Sequence, residues 1–420
     1  ARGSTLRTEV LAEITTFLTM AYIVLVNPAI LGQAGMPVAA VAAATCLAAG
    51  FASILMGASA NMPLALAPGM GLNAYFAFAV VQGQGVPWQV ALGCVFIAGV
   101  LFFLVSIFRI REWLVNGIPV SLKFGIAAGI GFFLGLIGLK NMGLVVAHPA
   151  TLVTLGPLGV TATLLACAGF LVIAGLSARG VPGAIVIGIL AVAAVGIPFG
   201  LTTFRGIVSL PPSLAPTFLQ LDIAGALQIG ILGIVFTFFL VDLLDNTGTL
   251  IGTVHRAGLM NPDGTVPNLG RALVADSGGA MMGAVLGTST TVSYIESAAG
   301  IQAGGRTGLT AVTVGVLFLL ALFLAPLATA IPAFATAPAL VFVACLMAKA
   351  LQDLNWEDAS EYMPAIVTAL AMPFTFSIAT GIGLGFITYA LVKAIGGRAG
   401  EVHGAVWLIA GLSAVKFALA

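Results

Sequence analysis

Charge is what this 420-residue chain has least of: 7% of its residues are Asp, Glu, Lys or Arg, against 60% hydrophobic. A soluble globular domain carries about 25% charged residues, so this chain cannot clothe a water-facing surface. A net charge of +1, with no basic cluster and no acidic tail, excludes a nucleic-acid-binding face. Cysteine is scarce too. Cys46, Cys94, Cys167 and Cys345 all fall in apolar stretches, where a thiol behaves as a small hydrophobe; disulfides and redox chemistry are not expected. His148, His255 and His403 fall in expected loops without metal-ligand spacing, so no metal site is expected. There is no Walker sequence, no Gly-x-Ser-x-Gly elbow and no His/Glu metal pair. ATP-driven pumping, enzymatic catalysis and a bound cofactor are therefore not expected. No cleavable leader is visible, so the first span is expected to serve as an uncleaved insertion signal, and Ala1 in place of Met suggests trimming.

What the chain has is apolar runs. A helix of about 20 apolar residues crosses the hydrocarbon core of a bilayer. Spans are predicted at about 14–32, 37–58, 88–108, 118–138, 158–178, 182–199, 224–250, 272–286, 307–325, 338–352 and 376–395. The short piece 361–374 is counted as a further crossing, and 63–82 and 287–303 as broken segments, giving about fourteen elements. The piece 404–419 is marginal, and Lys416 within it favours an interfacial helix. With the N-terminus in the cytoplasm, every Lys and Arg outside this last piece falls on the inner side except Lys140 and Arg205. That asymmetry needs 361–374 as a crossing. Trp88 and Trp113 mark span ends.

The chain also reads as duplicated. Thr16-Phe17 is echoed by Thr237-Phe238 about 220 residues on, and the broken segment around Pro68 to Asn73 by that around Ser289 to Glu296. An odd number of crossings per half inserts the second half upside down. Broken segments at matching positions of two halves point to a transport site.

Three acids lie within this greasy sequence: Asp242, Asp245 and Glu296. An Asp at the centre of a membrane helix costs about 2.5–3.5 kcal/mol, so such groups are read first as parts of a ligand or proton pathway. The run Thr288 to Val292, hydroxyl-bearing and largely β-branched, favours extended chain before a short helix carrying Glu296. Pro68 suits a helix start in the matching segment, which carries Asn73. Both residues then stand early in half-helices, where the helix dipole favours negative charge. The structural alternatives are that Glu296 pairs with a neighbouring hydroxyl and that Asn73 caps a turn. Asp242 and Asp245, three apart, share a helix face and suit proton-coupled binding; alternatively Asp245 is solvated near the cytoplasmic end. Glu13 and Asp276 are expected to be interfacial or paired at span ends. The glycines of Gly125–Gly131 and Gly381–Gly385 are expected to permit close helix packing.

Several stretches resemble one family. Thr8 to Ile23, Ala67 to Phe76, Asp242-Leu243-Leu244-Asp245, Gly287 to Arg306, Pro338 to Val343 and Trp356-Glu357-Asp358 together resemble the azaguanine-type permeases. These are the adenine, guanine and hypoxanthine transporters of the nucleobase–ascorbate and uracil permease group. The resemblance implies an all-α polytopic membrane protein, a seven-plus-seven inverted repeat of fourteen elements with core and gate domains. The core is expected at 1–108 and 222–325, the gate at 109–200 and 326–420, and an extracellular linker at 201–221. The resemblance carries substrate-binding roles onto Asn73, Asp242 and Glu296, with Gly71 and Asp245 as close supports. Tyr22 or Tyr75 is a candidate to stack on the ring. Glu296, Asp242 and Asp245 are the candidates for proton coupling. Import of a purine nucleobase with a proton is the expected function, in the cell membrane, with a homodimer through the gate domain. Another solute on the same scaffold (uracil, xanthine or an anion), a passive channel and a membrane-embedded enzyme are the alternatives.

Overall fold

A computed structural model of the chain describes residues 6–108, 117–204, 206–256, 266 and 268–419. Arg109, Arg111, Trp113 and Arg205 lie outside these residues, as do the side chains of Arg7, Asp245, His255 and Lys416. Apolar helices follow one another along the chain. The first half runs α1 (Leu6–Met20), α2 (Ile23–Gln33), α3 (Val38–Ala60), β1 (Leu66–Pro68), α4 (Met70–Ala74), α5 (Trp88–Ile107), α6 (Val120–Asn141), a hairpin of β2 (Val145–His148) and β3 (Leu152–Leu155), α7 (Thr161–Ala178) and α8 (Ala184–Gly196). The second half runs α9 (Leu232–Arg256), α10 (Leu269–Leu286), β4 (Thr291–Ser293), α11 (Ser297–Gln302), α12 (Gly308–Ala321), α13 (Ala333–Ala348), α14 (Ala359–Phe374), α15 (Ile378–Ile395) and α16 (Gly404–Leu419). Among the described residues, eight helical stretches are long and apolar enough to cross a membrane. α3, with 23 residues, is typical: at 1.5 Å per residue it exceeds the roughly 30 Å hydrocarbon core.

Two compact units are present. The larger comprises Ala1–Ile107 and Asn141–Ala339. In it α3 packs on α10 and α12, and α5 on α9 and α10. Glycines let α3 and α12 touch backbone to backbone. A Cβ on Gly57 would run into Gly308 O, one on Gly308 into Gly57 O, and one on Gly315 would lie 2.5 Å from Gly50 O. A buried apolar cluster, including Met56, Leu64, Leu66, Leu250 and Leu273, surrounds the base of β1. The smaller unit comprises Phe108–Lys140 and Leu340–Ala420. Here the expected glycine packing is present: Gly125 abuts the Ala365 backbone, and Gly381 and Gly385 abut Met372 and Thr368. Lys393, 1% exposed, bridges Glu361 at 2.8 Å and Glu401 at 3.0 Å. Arg398 pairs with Asp358 at 2.7 Å and, with Ser360, holds that carboxyl well below the usual carboxylate range.

Some expectations need correction. His148 lies not in a loop but inside β2 of the hairpin at 145–155, and His255 lies in the last turn of α9. The β-branched Val145, Val146, Val153 and Thr154 on either side of the Pro149-Ala150 turn supply the hairpin's local preference. Glu13 stands at the start of the first apolar span, which begins at Ala12, as expected, but helix α1 itself begins at Leu6 and the acid is 0% exposed. Asp276 does not open its element: α10 begins at Leu269, so this acid lies about two turns in, 0% exposed and hydrogen-bonded to Ser293.

Candidate functional site

The site forms where the two broken segments meet. β1 and β4 pair antiparallel in the register Leu66 with Ser293, Ala67 with Val292 and Pro68 with Thr291. Proline, lacking an N–H, sits at the end of this ladder, as it must. The remaining backbone groups are claimed locally. Gly69 N donates to Thr290 O at 3.0 Å, and Tyr294 N donates to Ala65 O at 3.0 Å. Ser53 Oγ takes Leu66 N and donates to Leu66 O, and Ser297 Oγ takes Ala65 N. Extended backbone at membrane depth is tolerated only when satisfied in this way. Gly69 is required sterically: a Cβ there would lie 2.9 Å from Val292 Cγ2. Gly287, at φ +89°, ends α10 in the left-handed region and turns the chain toward β4.

Each strand runs into a short helix. After β1 comes α4, which continues as π-helix over Tyr75–Gly83; π turns recur at functional sites, and nothing in the sequence had signalled this one. After β4 comes α11, with Glu296 at its N-cap position. Glu296 is half-buried, and Tyr22 OH donates to its Oε1 at 2.7 Å. Tyr22 thus holds the acid by hydrogen bonding. Tyr75 packs edge-on to Phe238, with ring centroids 5.0 Å apart.

Asp242 stands on α9 beside β4, 2% exposed. Its Oδ1 accepts Asn246 Nδ2 at 2.6 Å, and its Oδ2 accepts the Thr290 hydroxyl at 3.3 Å. Asn246 Oδ1 in turn accepts Ser293 N at 2.8 Å, and Ser293 Oγ donates to Asp276 Oδ1 at 3.2 Å. The backbone N–H of Ser293 fixes which way the Asn246 amide points, so its NH2 faces the Asp242 carboxylate. Asp242 and Glu296 are therefore both anchored to one segment, Thr290 to Glu296. Asp245 follows Asp242 by three residues on α9, but its side chain lies outside those described.

Asn73 is fully buried in a second network. Its Nδ2 donates to Asn27 Oδ1 at 2.5 Å, and its Oδ1 accepts the Ser289 hydroxyl. Asn27 Nδ2 donates to Thr45 at 2.7 Å and to Thr288 at 2.8 Å. These bonds tie α2, α3, α4 and the start of the second broken segment together. Gly71, the other expected support, lies on α4 two residues before Asn73. Sequence reasoning missed Asn27 and Asn246; Asp276, expected to be interfacial or paired, is paired, with Ser293. The spacing of Asn246 four residues after Asp242 was the available signal for the second of these.

The Asn246 bridge yields a prediction. Asn246→Ala would remove the acceptor of Ser293 N–H and a donor to the Asp242 carboxylate; leaving a buried polar group unsatisfied costs about 1–3 kcal/mol. Thermal unfolding in detergent should show a clear loss of stability; an unchanged transition would mean the bridge carries no load.

Paired broken segments with acids beside them in a polytopic helical chain are the architecture of a membrane transporter. Residues 7–384 match the family described as "Permease family" (Xan_ur_permease), and the chain belongs to that family. It is thus a multi-pass membrane permease and not an enzyme. It is 49% identical over 414 residues to the adenine permease AdeP of Escherichia coli (strain K12), covering 99% of this chain and 93% of that protein. It is 44% identical over 410 residues to the guanine/hypoxanthine permease PbuO of Bacillus subtilis (strain 168), covering 95% and 94%. The transmembrane domain of a cyanobacterium bicarbonate transporter, BicA, superposes with a TM-score of 0.70 at 17% identity, covering 90% of this chain and 98% of that one. The fold is the expected fourteen-element, seven-plus-seven inverted repeat with two broken segments.

Proposed function

We propose that this permease imports purine nucleobases, adenine, guanine or hypoxanthine, together with protons. The base lies between the two half-helices and α9. The observation that carries this reading is the pair of acids, Asp242 bonded to one end of the segment Thr290 to Glu296 and Glu296 at its other end. Each carboxylate oxygen has two lone pairs, so a ring or exocyclic N–H can join the bonds already present. Relatives named as adenine and guanine/hypoxanthine permeases support the same substrate class. Asn73 and Gly71 belong to the proposed site as the pair that shapes its α4 side. Tyr22 and Tyr75 remain candidates for the ring's faces, and Asp245 for proton coupling beside Asp242 and Glu296.

Transport follows if core and gate, at the boundaries expected from the sequence, move as rigid bodies about this site. A cytoplasmic N-terminus in the cell membrane and a homodimer through the gate belong to the same reading. The anion alternative is disfavoured because neither broken segment, Leu64 to Tyr75 nor Gly287 to Gly300, carries an Arg or Lys. The test is uptake of radiolabelled adenine, hypoxanthine and guanine by cells lacking their own purine permeases. Saturable uptake against a gradient, collapsed by a protonophore and untouched by excess bicarbonate, is expected. Uptake that never exceeds the external concentration would make the protein a channel, and competition by uracil or bicarbonate alone would overturn the substrate.

A further inference from the structure

The polar groups that the site leaves unused form a stripe on α1. Glu9, Glu13 and Thr16 stand at i, i+4 and i+7, on one helix face. That face meets α11 at backbone distance. A Cβ on Gly300 would run into Thr16 Oγ1 and lie 2.5 Å from Ala12 O, and one on Gly305 would lie 3.0 Å from Ala12 Cβ. The two helices run antiparallel. The Glu296 end of α11 lies at Tyr22, and the segment after its far end lies at Glu9, which accepts Arg306 N at 3.1 Å. The stripe thus leads from the start of α1 toward the proposed site.

Its members are not equally satisfied. Glu9 also accepts the Thr310 hydroxyl at 2.6 Å. Glu13, one turn on, is 0% exposed; the Thr313 hydroxyl of α12 stands beside its carboxylate, but neither oxygen has a hydrogen bond of good geometry. Thr16 Oγ1 is buried without a partner as well. Thr313 of α12 is the polar side chain beside Glu13, and Glu9 is the nearest charge. From the other packed elements, Glu296 and Arg306 bracket α11, and α8 brings no titratable side chain. A buried carboxylate with no more than one ill-placed hydroxyl beside it is costly, and taking up a proton removes most of that cost.

We propose that Glu13 carries the coupling proton between the Glu296 end of the site and the Glu9 end of α1. The protonated Glu296 carboxyl gives up its O–H proton, which passes by way of the Thr16 hydroxyl to one Glu13 oxygen, leaving Glu296 anionic and forming an O–H bond on Glu13; Glu13 later gives the proton to water at the Glu9 end and returns to the anion. The group alternates between neutral and anionic, and no electron moves. Thr16 lines the path as a hydroxyl that can accept and donate. The inference rests on the proton-coupled reading above.

The test uses the full chain reconstituted in liposomes with a trapped pH dye. Three signals are compared: purine-driven proton movement, proton-driven accumulation of labelled purine, and counterflow exchange of purine at equal pH. Wild type is expected to give all three. Glu13→Gln is expected to lose proton movement and accumulation while exchange persists. Wild-type proton signals in Glu13→Gln would overturn the role of Glu13 and leave proton coupling standing. Loss of exchange along with accumulation would place Glu13 in binding and also overturn it. A wild type that moves purine without protons would overturn the coupled reading itself, and this inference with it. Should Glu13→Gln not assemble, Thr16→Val is read in the same way: a slowed proton signal with exchange retained supports the path, and an unchanged proton signal overturns it.

Discussion

Glu296→Gln is expected to bring purine uptake close to background while leaving the protein folded. The substitution keeps side-chain volume and an oxygen for Tyr22 OH, whose bond at 2.7 Å anchors this position. What it removes is the charge. A hydrogen bond to a charged group contributes about 1.5–3 kcal/mol, which corresponds to roughly a tenfold to hundredfold loss of affinity. Asp242→Asn should cost at least as much uptake and some stability besides. An amide there turns either an oxygen or an NH2 toward Asn246 Nδ2 and the Thr290 hydroxyl, and one of those two donors loses its acceptor. Labelled-purine uptake, set against surface expression and thermal unfolding, separates the two effects. Full uptake by both variants would remove these residues from the site.

Gly308→Leu is expected to abolish folded protein. Its missing side chain is what lets α12 lie against Gly57 of α3, with the two carbonyls close enough to exclude any Cβ. Overpacking a core costs about 1–3 kcal/mol where side chains can give way. Here the obstruction is backbone, and the Gly50 and Gly315 contact on the same pair of helices leaves little room to tilt. α3 packs on β1 and β4, so its displacement from α12 would also disturb the strands that carry the site. Size-exclusion of detergent extracts reads the outcome, with Gly175→Leu, where a Cβ meets nothing within 4 Å, as the tolerated control. A monodisperse Gly308→Leu protein would show that this contact is not needed.

The parts of the fold legible in the sequence were those written in strong local chemistry. Twenty-residue apolar runs become helices because lipid leaves the backbone no other partner. The Thr288 to Val292 run announced extended chain and Pro68 a helix start; a helix does open at Met70, and each segment also holds a strand that pairs with the other. The pairing itself was not legible, because its partners lie over two hundred residues apart and share no pattern beyond being broken. The acids stood out because burial makes them expensive. Asn27 and Asn246 did not, because an uncharged amide in a helix costs little until its partners are known. Asp276 was misplaced for a different reason. Polar neighbours hide the first turns of α10, so a residue two turns inside looks terminal. The hairpin at Val145–Leu155 lies between spans, where hydropathy carries no information about strand pairing.

The most direct measurement is a structure of the protein with adenine or hypoxanthine bound. The base should lie between α4 and α11, with its N–H groups on Glu296 and Asp242 and with Tyr22 still holding the Glu296 carboxylate. A base bound elsewhere, with both acids keeping only the protein partners they have now, would contradict the account.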